Sequence, residues 1–296
     1  MIALLRDPKF FVALAHTDTI AYFSKRKNPE RNRVSNLNLF PANMKEYLLF
    51  SMSYDSVIHY NSMDSKLDPL ANCEGLSDSP PKSLFADCGA FQFRDSEKPI
   101  LEDGTLLNHE VAWEYYSRKH LNSNHSWEEV LLCSPDHIIM ADMEDEEAER
   151  RFSFIEENAA PFLKTSKQDS RVIAVGVIHG RTNEERMEQY EMFKKIGYQC
   201  VALGGMVPYS TKQNIALDIV AGIKDISNPK ISSDSILGKC RKDGIKLHIF
   251  GLNSPEWCRW WYRLNVDSFD GSKLSTEGAA NGWYWIAKDD KYEGRM

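Results

Sequence analysis

The sequence predicts an α/β protein of the (β/α)8 TIM-barrel type. Short runs rich in Val, Ile, Leu and Phe recur eight times along the 296 residues, and segments with helical periodicity separate many of them. Strands that alternate with helices indicate a mostly parallel sheet. No Gly-rich nucleotide fingerprint follows the first strand, so eight units in this length favour a closed barrel over an open sheet.

The expected strands follow one another at fairly even spacing. In chain order they are FFVALAH (10–16), YLLFSMSY (47–54), SLFADCGAF (83–91), HIIMAD (137–142), VIAVGVIHG (172–180), CVALGGM (200–206), LHIFGLN (247–253) and VDSFDG (266–271). Between the fifth and sixth, Met187, Tyr190, Phe193 and Ile196 fall at helical spacing, and Gly197 ends the pattern. We expect a single domain over 1–296, with surface loops at about 61–82 and 225–236.

Composition limits the classes of function. The chain is 42% hydrophobic and 27% charged, and its net charge of −7 argues against a protein that coats nucleic acid non-specifically. A local basic patch remains possible in SKRKNPERNR, which is either a solvated loop or a phosphate-binding segment. Its cationic side chains are Lys25, Arg26, Lys27, Arg31 and Arg33.

Cysteine spacing and hydropathy predict a reduced protein of the cytoplasm. The six cysteines form no CxxC or CxC pair, so we expect neither a zinc knuckle nor a disulfide framework. We expect no cofactor. No apolar run approaches the roughly 18 residues of a membrane span. The N-terminal MIALLRDPKFFVALA carries charges and a proline that a secretory signal would lack.

Most of the expected strands end on a polar residue or a glycine. In a barrel these ends meet at the C-terminal rim, where barrel enzymes carry their active sites. The rim residues are Asp87, Asp142, His179, the pair Gly204–Gly205, Asn253 and Asp270. Taken locally, Asp270 followed by Gly271 is more typical of an ordinary turn than of a reactive carboxylate.

Two chemistries fit aspartates and a histidine at one rim. One aspartate could attack the anomeric carbon of a sugar while another moves the proton. Alternatively, the same side chains could bind a divalent metal that activates water, as in metal-dependent barrel hydrolases. No strand carries an HxH pair, so we rank the metal-dependent hydrolase second.

The residues themselves suggest a family. The blocks FADCGAFQF, PDHIIMADMED, GVIHGRTNEER, GYQCVALGGM, FGLNSPEW and DSFDG follow one another between about 83 and 282. In order, spacing and content they resemble the tRNA-guanine transglycosylase superfamily. The resemblance implies that Asp270 is the nucleophile and Asp87 the general acid/base. It also implies that Asp142, with Asp145 a poorer candidate, reads the edge of a guanine or 7-deazaguanine base.

The same resemblance implies the other contacts to the base. The amides around Gly204, Gly205 and Met206 would bind its carbonyl, and His179 would stand where bacterial enzymes have a glutamine. Phe250 would lie under the base, Phe91 could stack on it, and Gln92 could add a hydrogen bond. Phe91 and Phe250 are also typical of core residues, and a lone histidine is often structural.

The chain departs from the family in two ways. The 26 residues after Asp270 contain no Cys or His, so the expected barrel lacks the zinc subdomain. The stretch STEGAANG also lacks the arginines that read a tRNA anticodon. The resemblance is therefore greatest to the zinc-free branch that inserts 7-deazaguanines such as preQ0 into DNA. A tRNA substrate is the alternative, and a homodimer or accessory subunit is compatible with either.

Overall fold

The computed structural model describes residues 8–14, 46–52, 81–101, 103–122, 126–271, 284–288 and 291–295. Within these ranges, eight parallel strands pair in chain order and close into a barrel, because β1 pairs with both β2 and β8. The strands are β1 (Lys9–Leu14), β2 (Tyr47–Ser51), β3 (Ser83–Asp87), β4 (Glu129–Cys133), β5 (Val172–Ile178), β6 (Cys200–Leu203), β7 (Lys246–Ile249) and β8 (Ser268–Gly271). The predicted (β/α)8 fold is confirmed.

Helices follow or connect most of these strands. They are α1 (His109–Tyr116), α2 (Asp145–Ser166), α3 (Asn183–Ile196), α4 (Gln213–Ala221), α5 (Ile236–Asp243) and α6 (Pro255–Leu264). Short 3₁₀ turns lie at Ala90–Phe93 and Val207–Tyr209, and a π-helical turn follows α1 at Ser117–Leu121. Two further strands, β9 (Tyr284–Lys288) and β10 (Lys291–Arg295), pair as an antiparallel hairpin. None of the helices in the described ranges has both the length and the apolar character needed to cross a membrane.

Local sequence signals explain the helix ends. The side chain of Thr182 accepts a hydrogen bond from the Glu185 amide at the start of α3. That helix ends at Gly197, whose φ of 107° is the left-handed conformation that glycine adopts without strain. Tyr190 and Phe193 are fully buried, so the predicted helix and its end are confirmed.

Alternation along the strands produces two cores. Phe85 belongs to a small cluster inside the barrel, whereas its neighbours Leu84 and Ala86 pack outward with the helices. On β8, Phe269 packs in the outer core, which puts Asp270 on the inner face. Asp87 follows the same rule on β3. Strand periodicity therefore directs both carboxylates toward the barrel axis at its C-terminal rim.

The fourth strand was predicted in the wrong place. HIIMAD at 137–142 forms neither a helix nor a strand, and β4 lies earlier, at Glu129–Cys133. Ile138 and Ile139 are buried because they pack in the outer core, not because they pair in the sheet. Seven of the eight strands were predicted within a few residues. Residues 225–235 form a loop as expected, while 61–80 lie outside the described residues.

Candidate active site

A cavity of about 370 Å³ opens at the C-terminal end of the barrel. Such a volume is within the range of small-molecule sites and can hold a purine-sized ring. Its lining combines apolar walls with three carboxyl groups and one imidazole. The lining residues are Asp87, Ala90, Phe91, Arg94, Asp136, Ile138, Met140, Val177, His179, Gly204, Gly205, Met206, Val207, Pro208, Phe250, Gly251 and Asp270.

Asp87, the last residue of β3, has a strongly perturbed carboxyl group. Burial raises its pKa to about 7, and the charge of Asp136 adds to the effect. The Gly89 amide donates to Asp87 Oδ1 at 3.0 Å, and a hydrogen bond from Ser51 also favours the ionised form. Near neutral pH this carboxyl group can therefore either give or take a proton.

Asp270 reaches the cavity from β8. The residue is only 6% exposed, and its Oδ1 accepts a hydrogen bond from the Gly251 amide at 2.9 Å. The Nε2 atom of His248, on the neighbouring strand β7, lies 3.4 Å from the same oxygen. The charge of Asp270 also contributes to raising the pKa of Asp87, so the two carboxyl groups share one electrostatic environment.

Asp136 lies in the segment that follows β4 and is 3% exposed. The Cys88 thiol lies 2.7 Å from its Oδ1, and His179 Nε2 lies 2.5 Å from its Oδ2. Burial, and then the charges of Asp136 and Asp87, raise the pKa of the Cys88 thiol well above its usual range. Cys88 is thus a protonated donor to Asp136 and is unsuited to act as a thiolate nucleophile.

His179, just beyond β5, is 1% exposed and is fixed at two points. Its backbone amide donates to Gln189 Oε1 at 2.7 Å, and its ring meets Asp136. Its Nδ1 atom has no hydrogen-bond partner within the described ranges. A buried imidazole nitrogen on the cavity wall without a partner is a place where a bound molecule can supply one.

The two glycines after β6 are explained by close packing at Gly204 and by a left-handed backbone at Gly205. A Cβ atom on Gly204 would lie 2.2 Å from His179 Cε1, so a larger residue would displace the imidazole. The Gly204 amide donates to the Ile178 carbonyl at 3.0 Å, which leaves it unavailable to a ligand. The amides of Gly205, which has a φ of 67°, and Met206 have no such partner among the described residues.

Two aromatic rings border the cavity. Phe91 is 45% exposed, and the guanidinium of Arg94 stacks on its ring at 4.4 Å. Phe250 packs against Phe85 and His248 with ring centroids 5.5 and 4.7 Å away. A ring that is both exposed and on a cavity wall offers a flat apolar surface to a heteroaromatic ligand.

A buried arginine holds two segments of the cavity wall together. Arg151 of α2 donates to the Ile138 carbonyl at 2.6 Å and to the carbonyls of Arg94 and Ser96 at 3.0 and 3.1 Å. It also pairs with Glu147 one turn earlier. Because Ile138 and Arg94 both line the cavity, this arginine fixes the loop after β3 against the segment after β4.

The structure brings together most of the residues that the sequence singled out, but not all. Asp142 is exposed in the turn before α2 and does not line the cavity, and Asp145 is paired with Arg181 on the surface. Gln92 is exposed and also lies outside the lining. The segment with Lys25, Arg26, Lys27, Arg31 and Arg33 lies outside the described residues. Asn253, expected at the same rim, is buried and does not line the cavity. The other predicted residues line it: Asp87, Phe91, His179, Gly204, Gly205, Met206, Phe250 and Asp270.

Among the titratable residues at the site, sequence reasoning missed Asp136 and Arg94, which line the cavity, and His248, which lies against Asp270. Asp136 comes three residues after β4, so placing the strand too late moved attention to Asp142. His248 alternates with Leu247 and Ile249 on β7, and this period of two could have indicated an inward side chain. Arg94 gave no signal, because it follows a 3₁₀ turn whose direction depends on tertiary contacts.

A carboxylate-rich cavity at the C-terminal rim of a (β/α)8 barrel defines a class of site suited to acid/base and nucleophilic chemistry. No family model matches the chain. The chain is similar to a DNA-guanine transglycosylase of Salmonella montevideo, with 26% identity over 190 residues. The aligned part is 64% of this chain and 40% of that protein, so the chain spans less than half of the relative's length. This similarity is one of the observations on which the function proposed below rests.

Proposed function

We propose that the chain is a base-exchange transglycosylase that replaces guanine in a polynucleotide through a covalent aspartyl-sugar intermediate. The observation that carries the proposal is the pair of carboxyl groups, Asp87 and Asp270, at one cavity. One of them has a pKa raised to about 7 by burial, and the other is held through one oxygen by a backbone amide. Such a division of roles between two carboxyl groups is what glycosyl transfer needs.

In the first half-reaction, an oxygen of Asp270 attacks C1′ of the target guanosine. The C1′–N9 bond breaks, its electron pair leaves with guanine, and protonated Asp87 supplies the proton that the departing base takes up. An ester between Asp270 and the sugar results, and Asp87 becomes a carboxylate. Residues Ala90, Phe91 and Val177 of the wall keep bulk water away from that ester.

In the second half-reaction, the incoming base takes the place of guanine. Asp87 accepts the N9 proton of that base, N9 bonds to C1′, and the ester breaks to restore the Asp270 carboxylate. The incoming base is proposed to be a 7-deazaguanine such as preQ0, which presents the same recognition edge as guanine. Both bases use one site in turn, so the kinetics are expected to be ping-pong.

Asp136 takes the base-reading role that the sequence suggested for Asp142. It is buried on the cavity wall, and each carboxylate oxygen has lone pairs left after bonding to Cys88 and His179. Those oxygens suit the adjacent N1–H and amino group of guanine. The free amides of Gly205 and Met206 suit its carbonyl, and the rings of Phe91 and Phe250 suit its faces.

DNA is proposed as the substrate ahead of tRNA. The Salmonella relative is a DNA-guanine transglycosylase, and the stretch STEGAANG of this chain lacks arginines that could read an anticodon. A guanine must leave the base stack to enter a cavity at the end of a barrel, so single-stranded DNA is expected to react faster than a duplex. The basic segment around Lys25–Arg33 is assigned to contacts with the phosphate backbone.

A metal-dependent hydrolase is the second candidate, and one cluster favours it. Ligand atoms of Asp87, Cys88 and Asp136 all lie within 4.8 Å of one another. However, a metal would need the thiolate of Cys88, whose pKa is raised well above its usual range by burial. Two measurements distinguish the candidates. Only the hydrolase requires bound metal in the purified protein, and only the hydrolase loses activity when a chelator is added.

The test uses purified protein with single-stranded DNA, duplex DNA or tRNA, each with and without preQ0. Nucleosides are released by digestion and identified by mass spectrometry, and free guanine is measured in parallel. Without preQ0 we expect at most one equivalent of guanine released per enzyme. With preQ0 we expect continued release, with an equal amount of preQ0 incorporated into single-stranded DNA and little into tRNA. Modification of tRNA alone would contradict the DNA assignment, and loss of activity with a chelator would favour the hydrolase.

A further inference from the structure

A second histidine lies directly beneath Asp270 inside the barrel. His248 of β7 has no exposed surface, and its two ring nitrogens face two different residues of β8. Nδ1 lies 2.8 Å from Ser268 Oγ, and Nε2 lies 3.4 Å from Asp270 Oδ1. β7 and β8 are adjacent, and His248 is in register with Ser268, so the contacts follow from strand pairing.

The neighbours of His248 determine which nitrogen carries the proton. A carboxylate oxygen can only accept, so Nε2 must carry hydrogen to bond Asp270. Nδ1 of the neutral ring is then an acceptor, and the Ser268 hydroxyl can donate to it. Every group has a compatible partner in the order Ser268, His248, Asp270 without any charge on the imidazole.

These contacts distinguish the two oxygens of Asp270. Oδ1 faces both the Gly251 amide at 2.9 Å and His248 Nε2 at 3.4 Å. Within the described ranges, Oδ2 has no hydrogen-bond partner. An oxygen whose lone pairs already accept hydrogen bonds is a weaker nucleophile than one without such bonds. The geometry therefore leaves Oδ2 as the reactive atom.

We propose that His248 is a positioning residue that fixes Asp270 through Oδ1 and so directs Oδ2 at C1′ of the nucleotide. This inference rests on the proposed role of Asp270 as the nucleophile. When Oδ2 bonds to C1′, Oδ1 becomes the carbonyl oxygen of the ester. The same two donors hold it there until the incoming base displaces Asp270 and the carboxylate returns. The 3.4 Å distance is long for a hydrogen bond, as is common before a substrate is bound.

The competing explanation is that the ring of His248 only fills space. It packs among aromatic residues, with ring centroids 4.3 Å from Phe85 and 4.7 Å from Phe250. Substituting His248 with glutamine or asparagine, two amide side chains of similar size, distinguishes the positioning role from the space-filling role. Glutamine places its Nε2 the same number of bonds from Cβ as the histidine Nε2 and can reach Asp270. Asparagine replaces only the Nδ1 position, which faces Ser268.

The experiment measures single-turnover formation of the covalent adduct with a guanine-containing single-stranded oligodeoxynucleotide. It compares wild type, His248→Gln, His248→Asn and Asp270→Asn, with oligonucleotide affinity measured separately and folding checked by circular dichroism. We expect His248→Asn to lower the rate constant about 10- to 100-fold at unchanged affinity, the range for losing a hydrogen bond to a charged group. His248→Gln should recover most of that loss.

Equal rates for the two amide variants would overturn the positioning role, as would a loss of affinity with no loss of rate. The proposed function fails in a different way. Wild type would then form no adduct, or Asp270→Asn would form as much adduct as wild type, whatever residue stands at 248.

Discussion

Raising the pH from about 6 to about 8 is expected to slow the attack by Asp270, because Asp87 must be protonated when guanine leaves. Burial in the cavity, and then the charge of Asp136, raise the pKa of Asp87 from its ordinary 3.8 to about 7. A difference of about three pKa units corresponds to ~4 kcal/mol against the ionised form. Above pH 7 the protonated fraction falls about tenfold per pH unit, and the rate constant for adduct formation should fall with it.

The second half-reaction should show the opposite dependence, since the incoming base gives its proton to ionised Asp87. The assay is rapid-quench measurement of adduct formation, and then of adduct decay on addition of preQ0, across this pH range. Asp87→Asn serves as the control because asparagine keeps the acceptor for the Gly89 amide but cannot titrate. If both half-reactions of wild type change with pH in the same direction, the assignment of Asp87 as the shared acid and base is refuted.

Three further predictions follow from individual contacts. Asp87→Asn should stabilise the fold by up to ~4 kcal/mol above about pH 7 and not below about pH 4. The reason is that a carboxyl group whose pKa is higher in the folded than in the unfolded protein destabilises the fold increasingly as the pH rises from the unfolded to the folded pKa. Urea unfolding at both pH values measures the effect, and an equal effect at both would contradict the prediction. Phe91→Ala should weaken preQ0 binding by ~1–3 kcal/mol in calorimetry with no loss of folding stability, whereas Ile215→Ala, at a side chain 46% exposed that does not line the cavity, should change neither. Gly204→Ala should drive the new methyl group into His179, lower the stability of the fold by ~1–3 kcal/mol and raise the KM for the base. A variant with wild-type stability and KM would show that His179 does not need its present position.

The barrel could be predicted from sequence because its determinants are local. Each parallel strand is buried on both faces and reads as a short apolar run, and alternation then decides which residues face the axis. That is why Asp87 and Asp270 were identified correctly as rim residues that share one cavity. The end of α3 could also be predicted from the sequence, because Gly197 ends the helix in a left-handed conformation that glycine favours.

The errors in strand placement and in the choice of site aspartate arose where apolar residues are buried without pairing in the sheet. HIIMAD is apolar because Ile138 and Ile139 pack in the outer core, and a single sequence cannot distinguish such a segment from a paired strand. Misplacing β4 led us to predict the base-reading role for Asp142, whereas Asp136 is the aspartate of this region that lines the cavity. Asp136 can be recognised only through contacts with Cys88 and His179, which lie 48 and 43 residues away along the chain.

The most direct test of the proposed mechanism is to locate the covalent bond. Protein is incubated with a guanine-containing single-stranded oligodeoxynucleotide without an incoming base, denatured and digested, and the cross-linked peptide is sequenced by mass spectrometry. We expect one adduct, on the peptide that contains Asp270, lost in Asp270→Asn and discharged when preQ0 is added to the native complex. An adduct on any other residue, or guanine release at the wild-type rate by Asp270→Asn, would contradict the assignment of Asp270 as the nucleophile.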